Sequence, residues 1–203
     1  MTVYNSEERL TELLRIADAC RGDEAAAEAI FRQHSPAVFR WAAAMLNDAD
    51  DAEEVTQDTF VYALQNLRRY DPRRSAFQTW LFTIAISRCR NKRRRKWLET
   101  VPLAWLARNE TQGNAPLRSL EDWLAARGAR RELWAAVQAL SPNLREAVAL
   151  RFIAGLTYAE IGEAARCGAK AAESRVRTAL GTLRKRLAAQ GGVEREWLEA
   201  LEG

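Results

Sequence analysis

The sequence predicts an all-α protein made of two small helical domains joined by a long flexible linker. Ala, Leu, Arg and Glu dominate its 203 residues, and no alternating β-branched run appears anywhere. Apolar side chains recur at helical spacing in both halves. Between the halves, Trp97 to Gly128 loses that period and gains Pro102, Gly113 and Pro116. A connector of that length is unusual inside one compact domain. The expected division is therefore 1–96, a linker over 97–128, a second domain over 129–190 and a short extension over 191–203.

The first helix is expected from Ser6 to Cys20, with Leu10, Leu13, Leu14 and Ala17 on its buried face and Arg21-Gly22-Asp23 ending it. A second runs from about Glu24 to Gln33. Ser35-Pro36 reads as an N-cap followed by a first-turn proline, which opens a third helix through Phe39, Ala43 and Leu46. Next comes an acidic helix, with Asp50 and Glu53 at the spacing of a capping pair and carboxylates at the positive end of the dipole. Its buried stripe is Phe60, Ala63, Leu64 and Leu67. Tyr70-Asp71-Pro72 breaks it, Ser75 and Gln78 cap the helix from Phe77 to Ala85, and Ile86-Ser87 marks an irregular join before a basic helix from Arg88. In the linker, short helical pieces are expected around Trp105 and Trp123.

The second half has the sharpest local signals. Ser141-Pro142 opens a helix with Leu144, Val148 and Phe152 inward, and Gly155 ends it as a left-handed cap. Thr157 and Glu160 form a capping box, with Leu156 placed to staple Ile161. That short helix closes near Arg166-Cys167-Gly168. A longer one follows from Ala169 to about Leu187 on the stripe Ala172, Val176, Leu180, Leu183 and Leu187. Two helices joined by a tight glycine turn, the second longer and basic, make a helix-turn-helix. A purely structural helical hairpin is the alternative.

Composition excludes several classes. The start, MTVYNSEERL, lacks the basic and apolar regions of a signal peptide. No stretch approaches the roughly 18–20 apolar residues of a membrane span, so no membrane insertion is expected. Cys20, Cys89 and Cys167 are odd in number and scattered, and His34 is the only histidine, so neither a disulfide framework nor a metal ligand set is expected. A reducing cytoplasm is the expected location. No Gly-rich phosphate loop or Cys/His nucleophile pair is present, and the chain is expected to be no enzyme, with no cofactor.

The charge pattern is the functional signal. The net charge of +4 conceals an acidic first segment, with Asp48, Asp50, Asp51, Glu53, Glu54 and Asp58 close together. The stripe above turns Glu54, Asp58, Val61 and Gln65 outward. That face reads as a docking surface for a basic protein helix, or as an ordinary solvated acidic helix. From Asp71 to Lys96 the balance reverses: no acid appears until Glu99, while Arg73, Arg74, Arg88, Arg90, Lys92, Arg93, Arg94, Arg95 and Lys96 are cationic. A run that dense calls for a polyanion or for solvent. Phe77, Trp80 and Phe82 beside it are stacking partners for opened DNA, or core. On the last helix Lys170, Ser174, Thr178 and Lys185 face away from the stripe, with Arg175 and Arg177 on its shoulders. Those near the helix start are placed for base edges in a major groove, the rest for phosphate.

Three motifs in order, Asp51 to Phe60, Phe77 to Ala85, and Leu140-Ser141-Pro142 through Gly155 to Ile161, resemble a bacterial RNA polymerase sigma factor of the extracytoplasmic-function (ECF) group. The resemblance covers roughly Asp18 to Leu187 and implies a sigma2-like bundle and a sigma4-like helix-turn-helix domain. It implies core RNA polymerase and promoter DNA as partners, with contacts on the β and β′ subunits, and an anti-sigma factor that holds the protein inactive. Glu54, Gln57, Asp58, Val61 and Gln65 would then meet the clamp helices of β′. Tyr70 through Lys92 would recognise and open the minus ten element, with Arg73, Arg74, Phe77, Trp80, Ser87, Arg88, Arg90, Asn91 and Lys92 as contacts. A base would be captured near Ser87, where many family members carry asparagine. Lys170, Ser174, Arg175, Arg177 and Thr178 would read the minus thirty-five element, in a helix start that has Glu173 where lysine is common. The linker would thread toward the polymerase active site and RNA exit channel. A helix-turn-helix regulator acting without polymerase and a sigma-like decoy for a protein partner are the alternatives. The amphipathic stretch Val193 to Leu201 is expected to cover Trp197, Leu198 and Leu201 against the second domain or a regulator.

Overall fold

The computed structural model describes residues 6–99 and 128–189, which form eight α-helices and one short 3-10 turn. They are α1 (Ser6–Cys20), α2 (Glu24–Leu46), α3 (Ala49–Gln65), the turn Leu67–Arg69, α4 (Phe77–Glu99), α5 (Gly128–Gln138), α6 (Pro142–Phe152), α7 (Tyr158–Ala164) and α8 (Ala169–Ala189). No strand occurs among the described residues. The expected pieces near Trp105 and Trp123 and the amphipathic extension lie outside them.

Helix α1 has the expected bounds but buries another face. Leu10 and Leu14 are 60% and 59% exposed, while Ile16 and Glu12 are buried. The reason is the partner: α2 offers His34, whose Nε2 lies 3.0 Å from Glu12 Oε1, so a polar pair takes the place the leucines were expected to fill. Asp23 caps α2 by accepting from the amides of Ala25 and Ala26. The helix then runs unbroken through Pro36, where a new start was expected. Ile30, His34, Val38 and Trp41 are buried on one face, and that burial holds both sides of the proline in register. Pro36 deprives only the Arg32 carbonyl of its donor, and both residues sit on the exposed side, where water can serve it.

The cap of α3 is Asp48, not Asp50. Its backbone is extended, and its side chain accepts from the Asp51 amide at 3.1 Å. Asp50 is an exposed first-turn residue. Helix α4 also runs on where an irregular join at Ile86-Ser87 was expected. Phe77, Leu81, Phe82, Ala85, Ile86 and Cys89 are all buried, and that stripe carries the helix through Ser87 into the cations. Gln78 caps nothing at its start; its Nε2 donates to the Ala154 carbonyl at 2.8 Å.

In the second half Gly155 is left-handed (φ 71°), and the Thr157–Glu160 capping box forms in both directions. Leu156 and Ile161 are buried as a staple requires. The inner face of α6 is broader than expected, since Glu146 to Leu150 are all buried, while Phe152 is 39% exposed. The two halves are packed on each other. One apolar cluster runs from Ile16, Trp41 and Phe82 into Leu150, Ile161 and Val176, and a smaller one joins Ala136, Leu140, Val148, Ala179 and Leu183. Polar ties reinforce it: Gln138 Nε2 donates to the Ala44 carbonyl at 2.9 Å and Trp134 Nε1 to Asn47 Oδ1 at 3.2 Å.

Candidate functional site

Helix α3 buries Ala52, Val55, Thr56, Thr59, Phe60 and Ala63. The hydroxyls on that face are satisfied within the helix, Thr56 and Thr59 donating to the carbonyls of Ala52 and Val55. Outward, beside Asp50 and Glu53 of the first turns, stands the row Glu54, Gln57, Asp58, Val61 and Gln65, all exposed. Val61 is 56% exposed although its neighbour Phe60 packs edge-on against Phe31 at 4.9 Å. The face thus combines carboxylates, amides and one apolar side chain, a composition suited to a cationic partner with an aliphatic contact.

Helix α4 leaves the core at Cys89, whose thiol is pushed up to about 12 by burial. Around and beyond it, the cations are less free than their density suggests. Arg88 lies over the Tyr62 ring at 4.7 Å. Arg90 pairs with buried Glu146 of α6, at 2.7 Å from Nη2 to Oε1. Lys92 binds Glu54 and Asp51, and Lys96 binds Asp48 and Asp51. The polyanion that the sequence called for is therefore supplied in part by the chain itself. Arg93, Arg94 and Arg95 are exposed, as are Ser87 and Asn91.

The aromatics divide. Phe77 is 1% exposed, with its ring 5.2 Å from His34, 5.3 Å from Tyr70 and 5.7 Å from Trp80. Phe82 is buried against Trp41. Neither can stack on a base from there, so the expectation for Phe77 is corrected: it is a core residue that supports Trp80. Trp80 itself is half-buried and leans on Tyr70 at 5.5 Å. Burial pushes the Tyr70 hydroxyl up to about 12, and it donates to the Ser75 carbonyl, which shapes the loop leading into α4. In that loop Arg73 and Arg74 are exposed, and Arg73 holds the Asp71 carboxyl below its ordinary range by hydrogen bonding.

The helix-turn-helix is set by a close approach. A Cβ on Gly162 would stand 2.5 Å from the Gly168 carbonyl carbon and 2.7 Å from the Ala169 amide nitrogen, so only glycine lets α7 lie against the turn. Arg166 and Gly168 take positive φ there (56° and 77°). Arg151 braces the entry by donating to the Leu156 carbonyl and lying over Tyr158 at 5.1 Å. On α8 the buried stripe is Ala172, Val176, Ala179 and Leu183. Lys170, Glu173, Ser174, Arg177 and Thr178 are exposed at intervals of three and four, hence on one face, and Arg175 is half-exposed at its shoulder. From Lys170 to Thr178 that row is roughly 12 Å long at 1.5 Å per residue, about the width of a major groove.

Sequence reasoning missed Glu146, Tyr62 and Gly162, and it placed Asp51 in the acidic cluster without its partners Lys92 and Lys96. Glu146 and Tyr62 carry no local signal, because a partner on another helix defines each. Among the described residues no group of three or more His, Cys, Asp or Glu is placed to hold a metal, and no helix is long and apolar enough to cross a membrane.

Known proteins match this arrangement. Sigma-70 region 2 matches residues 30–99 and sigma-70 region 4 matches residues 130–183. The ECF RNA polymerase sigma factor SigE of Mycolicibacterium smegmatis is 33% identical over 172 residues, 82% of this chain and 60% of SigE. The RNA polymerase sigma factor CarQ of Myxococcus xanthus is 32% identical over 170 residues, 80% of this chain and 93% of CarQ. The chain thus spans under two thirds of SigE and nearly all of CarQ. Among solved structures, CnrH in complex with the cytosolic domain of CnrY superposes with a TM-score of 0.65 at 24% identity, covering 87% of this chain and 96% of that one. RpoE in complex with the anti-sigma factor NepR from Bartonella quintana gives 0.60 at 22% identity, covering 79% and 96%. The two structures carry the fold, and the paired regions and sequence relatives carry the family: the chain belongs to the ECF RNA polymerase sigma factors.

Proposed function

We propose that the chain is a transcription initiation factor that binds core RNA polymerase and directs it to specific promoters. The observation that carries this reading is the segregation of two exposed surfaces of opposite character in a member of this family: the acidic row on α3 and the polar, basic row on α8. A polyanion is repelled by the first and attracted by the second, so one must meet a protein and the other DNA.

In this reading Glu54, Gln57, Asp58, Val61 and Gln65 dock on a cationic helix pair of the polymerase β′ subunit, and the second unit meets β. Arg73, Arg74, Trp80, Ser87, Arg88, Arg90, Asn91 and Lys92 line the minus ten side. Trp80 is the one aromatic of the original three that is not fully buried, and it supplies stacking for an opened base. Phe77 contributes by holding Trp80 and Tyr70. Lys170, Ser174, Arg175, Arg177 and Thr178 enter the major groove of the minus thirty-five element, with hydroxyls and guanidinium groups near the helix start toward base edges. The reading includes control by an anti-sigma factor, the kind of partner that RpoE of Bartonella quintana holds in its complex with NepR. It gives the chain no catalytic role of its own.

The test is transcription in vitro with core polymerase and the purified full chain on a library of genomic fragments. Transcripts starting at defined sites that share two upstream elements support the reading. Binding of the chain to DNA with no association with core polymerase overturns it.

A further inference from the structure

Five side chains tie α3 to α4 in an array of alternating sign. Lys92 Nζ lies 2.5 Å from Glu54 Oε2 and 3.1 Å from Asp51 Oδ1. Lys96 Nζ lies 2.7 Å from Asp51 Oδ2 and 3.2 Å from Asp48 Oδ2. Asp51, its side chain only 15% exposed, is the member that both lysines share. Hydrogen bonding to Glu54 first, and to Asp51 after it, holds the Lys92 ammonium more firmly charged than usual.

The placement of Glu54 is what gives this array a consequence. Its carboxylate is exposed and stands on the same row as Asp58, Val61 and Gln65, the proposed polymerase face. Lys92 belongs to the proposed DNA face with Ser87, Arg88 and Asn91. A polar groove between the two helices is lined by Glu54, Val55, Asp58, Arg88, Asn91, Lys92 and Arg95. One carboxylate is therefore claimed from two sides.

Resting on the function proposed above, we propose that Glu54 and Asp51 mask Lys92 in the free chain, and that a cationic helix docking on Glu54 and Asp58 releases Lys92 to a DNA phosphate. A partner guanidinium can take both oxygens of Glu54, which the point charge of an ammonium cannot match. Asp51 is then left shared between two lysines, and Lys92 is the one nearer the DNA face. Because binding free energies are reciprocal, DNA that takes Lys92 also frees Glu54 for the polymerase. Polymerase binding thereby switches on part of the DNA grip, and a free chain grips promiscuous polyanion less.

The experiment measures binding of the full chain to a labelled oligothymidylate of about 20 nucleotides across a salt series, for the wild type, Lys92→Met, Glu54→Gln and the double variant. Each phosphate contact on a single strand adds about 0.7 to the salt slope. Masking predicts that Lys92→Met leaves the slope unchanged in the wild type and lowers it by about 0.7 in the Glu54→Gln background. Saturating core polymerase should uncover the same loss in the wild type. An equal loss in both backgrounds of the free chain overturns the proposal, since Lys92 is then never masked. No loss in either overturns it as well, since Lys92 then never reaches nucleic acid. Glu54 is exposed, so Glu54→Gln is expected to keep its helix content, which circular dichroism checks. Should the chain fail to bind core polymerase, the function proposed above falls while the free-chain comparison still decides the masking.

Discussion

The pair formed by Arg90 and Glu146 makes an asymmetric prediction. Arg90 on α4 reaches Glu146 on α6 with Nη2 2.7 Å from Oε1 and Nε 3.3 Å from Oε2, so the contact joins the two halves of the chain. The Arg90 side chain is 48% exposed and that of Glu146 only 5%. Glu146→Gln keeps the volume and lets a half-exposed guanidinium return to water, a cost of about 1 kcal/mol for the weakened charged hydrogen bonds. Arg90→Ala leaves a carboxylate buried without its partner, which costs about 3 kcal/mol, the lower end for a broken buried pair because water already reaches one side. At roughly 2–4 °C per kcal/mol for a chain of this size, the melting temperature should fall by about 2–4 °C for Glu146→Gln and about 6–12 °C for Arg90→Ala. Calorimetry of the full chain at neutral pH reads both. Equal losses, or a larger loss for Glu146→Gln, would refute the reasoning that the buried member sets the cost.

Three further outcomes are expected. Gly162→Ala should cost about 2 kcal/mol, since the turn at Gly168 and Ala169 must move, and should weaken duplex binding beyond the loss of stability; unchanged melting would contradict the close approach. Asp48 has its carboxyl held below its ordinary 3.8, chiefly by the Asp51 amide, so its contribution is present above that value and lost as pH falls through the lower folded one; the stability advantage of wild type over Asp48→Ala, about 1 kcal/mol at neutral pH, should therefore shrink below about pH 4 in urea titrations. Alkylation of the native chain with iodoacetamide near pH 8 should label Cys20 and Cys167 and spare Cys89, whose thiol is buried and pushed up to about 12; mass spectrometry of the peptides decides.

How much of this was legible in the sequence follows from where each signal resides. The start of α7 was fully legible, because Thr157 and Glu160 satisfy each other within four residues and need no other helix. The outward row on α3 and the exposed row on α8 were legible too, because charge at helical spacing falls on the side away from an apolar stripe. Local signals misled where tertiary burial outweighed them. Pro36 reads as a helix start, yet buried Ile30, His34, Val38 and Trp41 hold one helix through it. Ile86-Ser87 reads as a join, yet Ile86 is packed in the stripe of α4. Leu10 and Leu14 read as core, but the complementary face of α2 is built around His34 and selects Glu12. The cations after Arg88 were legible as a cluster and not as partners, because Asp51 and Glu54 precede Lys92 by about 40 positions and only the packing of α3 on α4 brings them together. Polar residues committed to the interior are invisible to a periodicity argument that assigns interiors to apolar side chains.

The most direct measurement of the account separates its two surfaces in one experiment. Asp58→Lys with Val61→Glu alters the α3 row, and Lys170→Ala with Arg175→Ala alters the α8 row, all at positions that are at least partly exposed. Affinity for core polymerase and affinity of the holoenzyme for promoter duplex are measured for each pair. The account predicts at least a tenfold loss of core binding for the first pair with the second near wild type, and a loss of about 1–3 kcal/mol in promoter binding for the second pair with core binding retained. Core binding that survives the first pair, or collapses with the second, would contradict it.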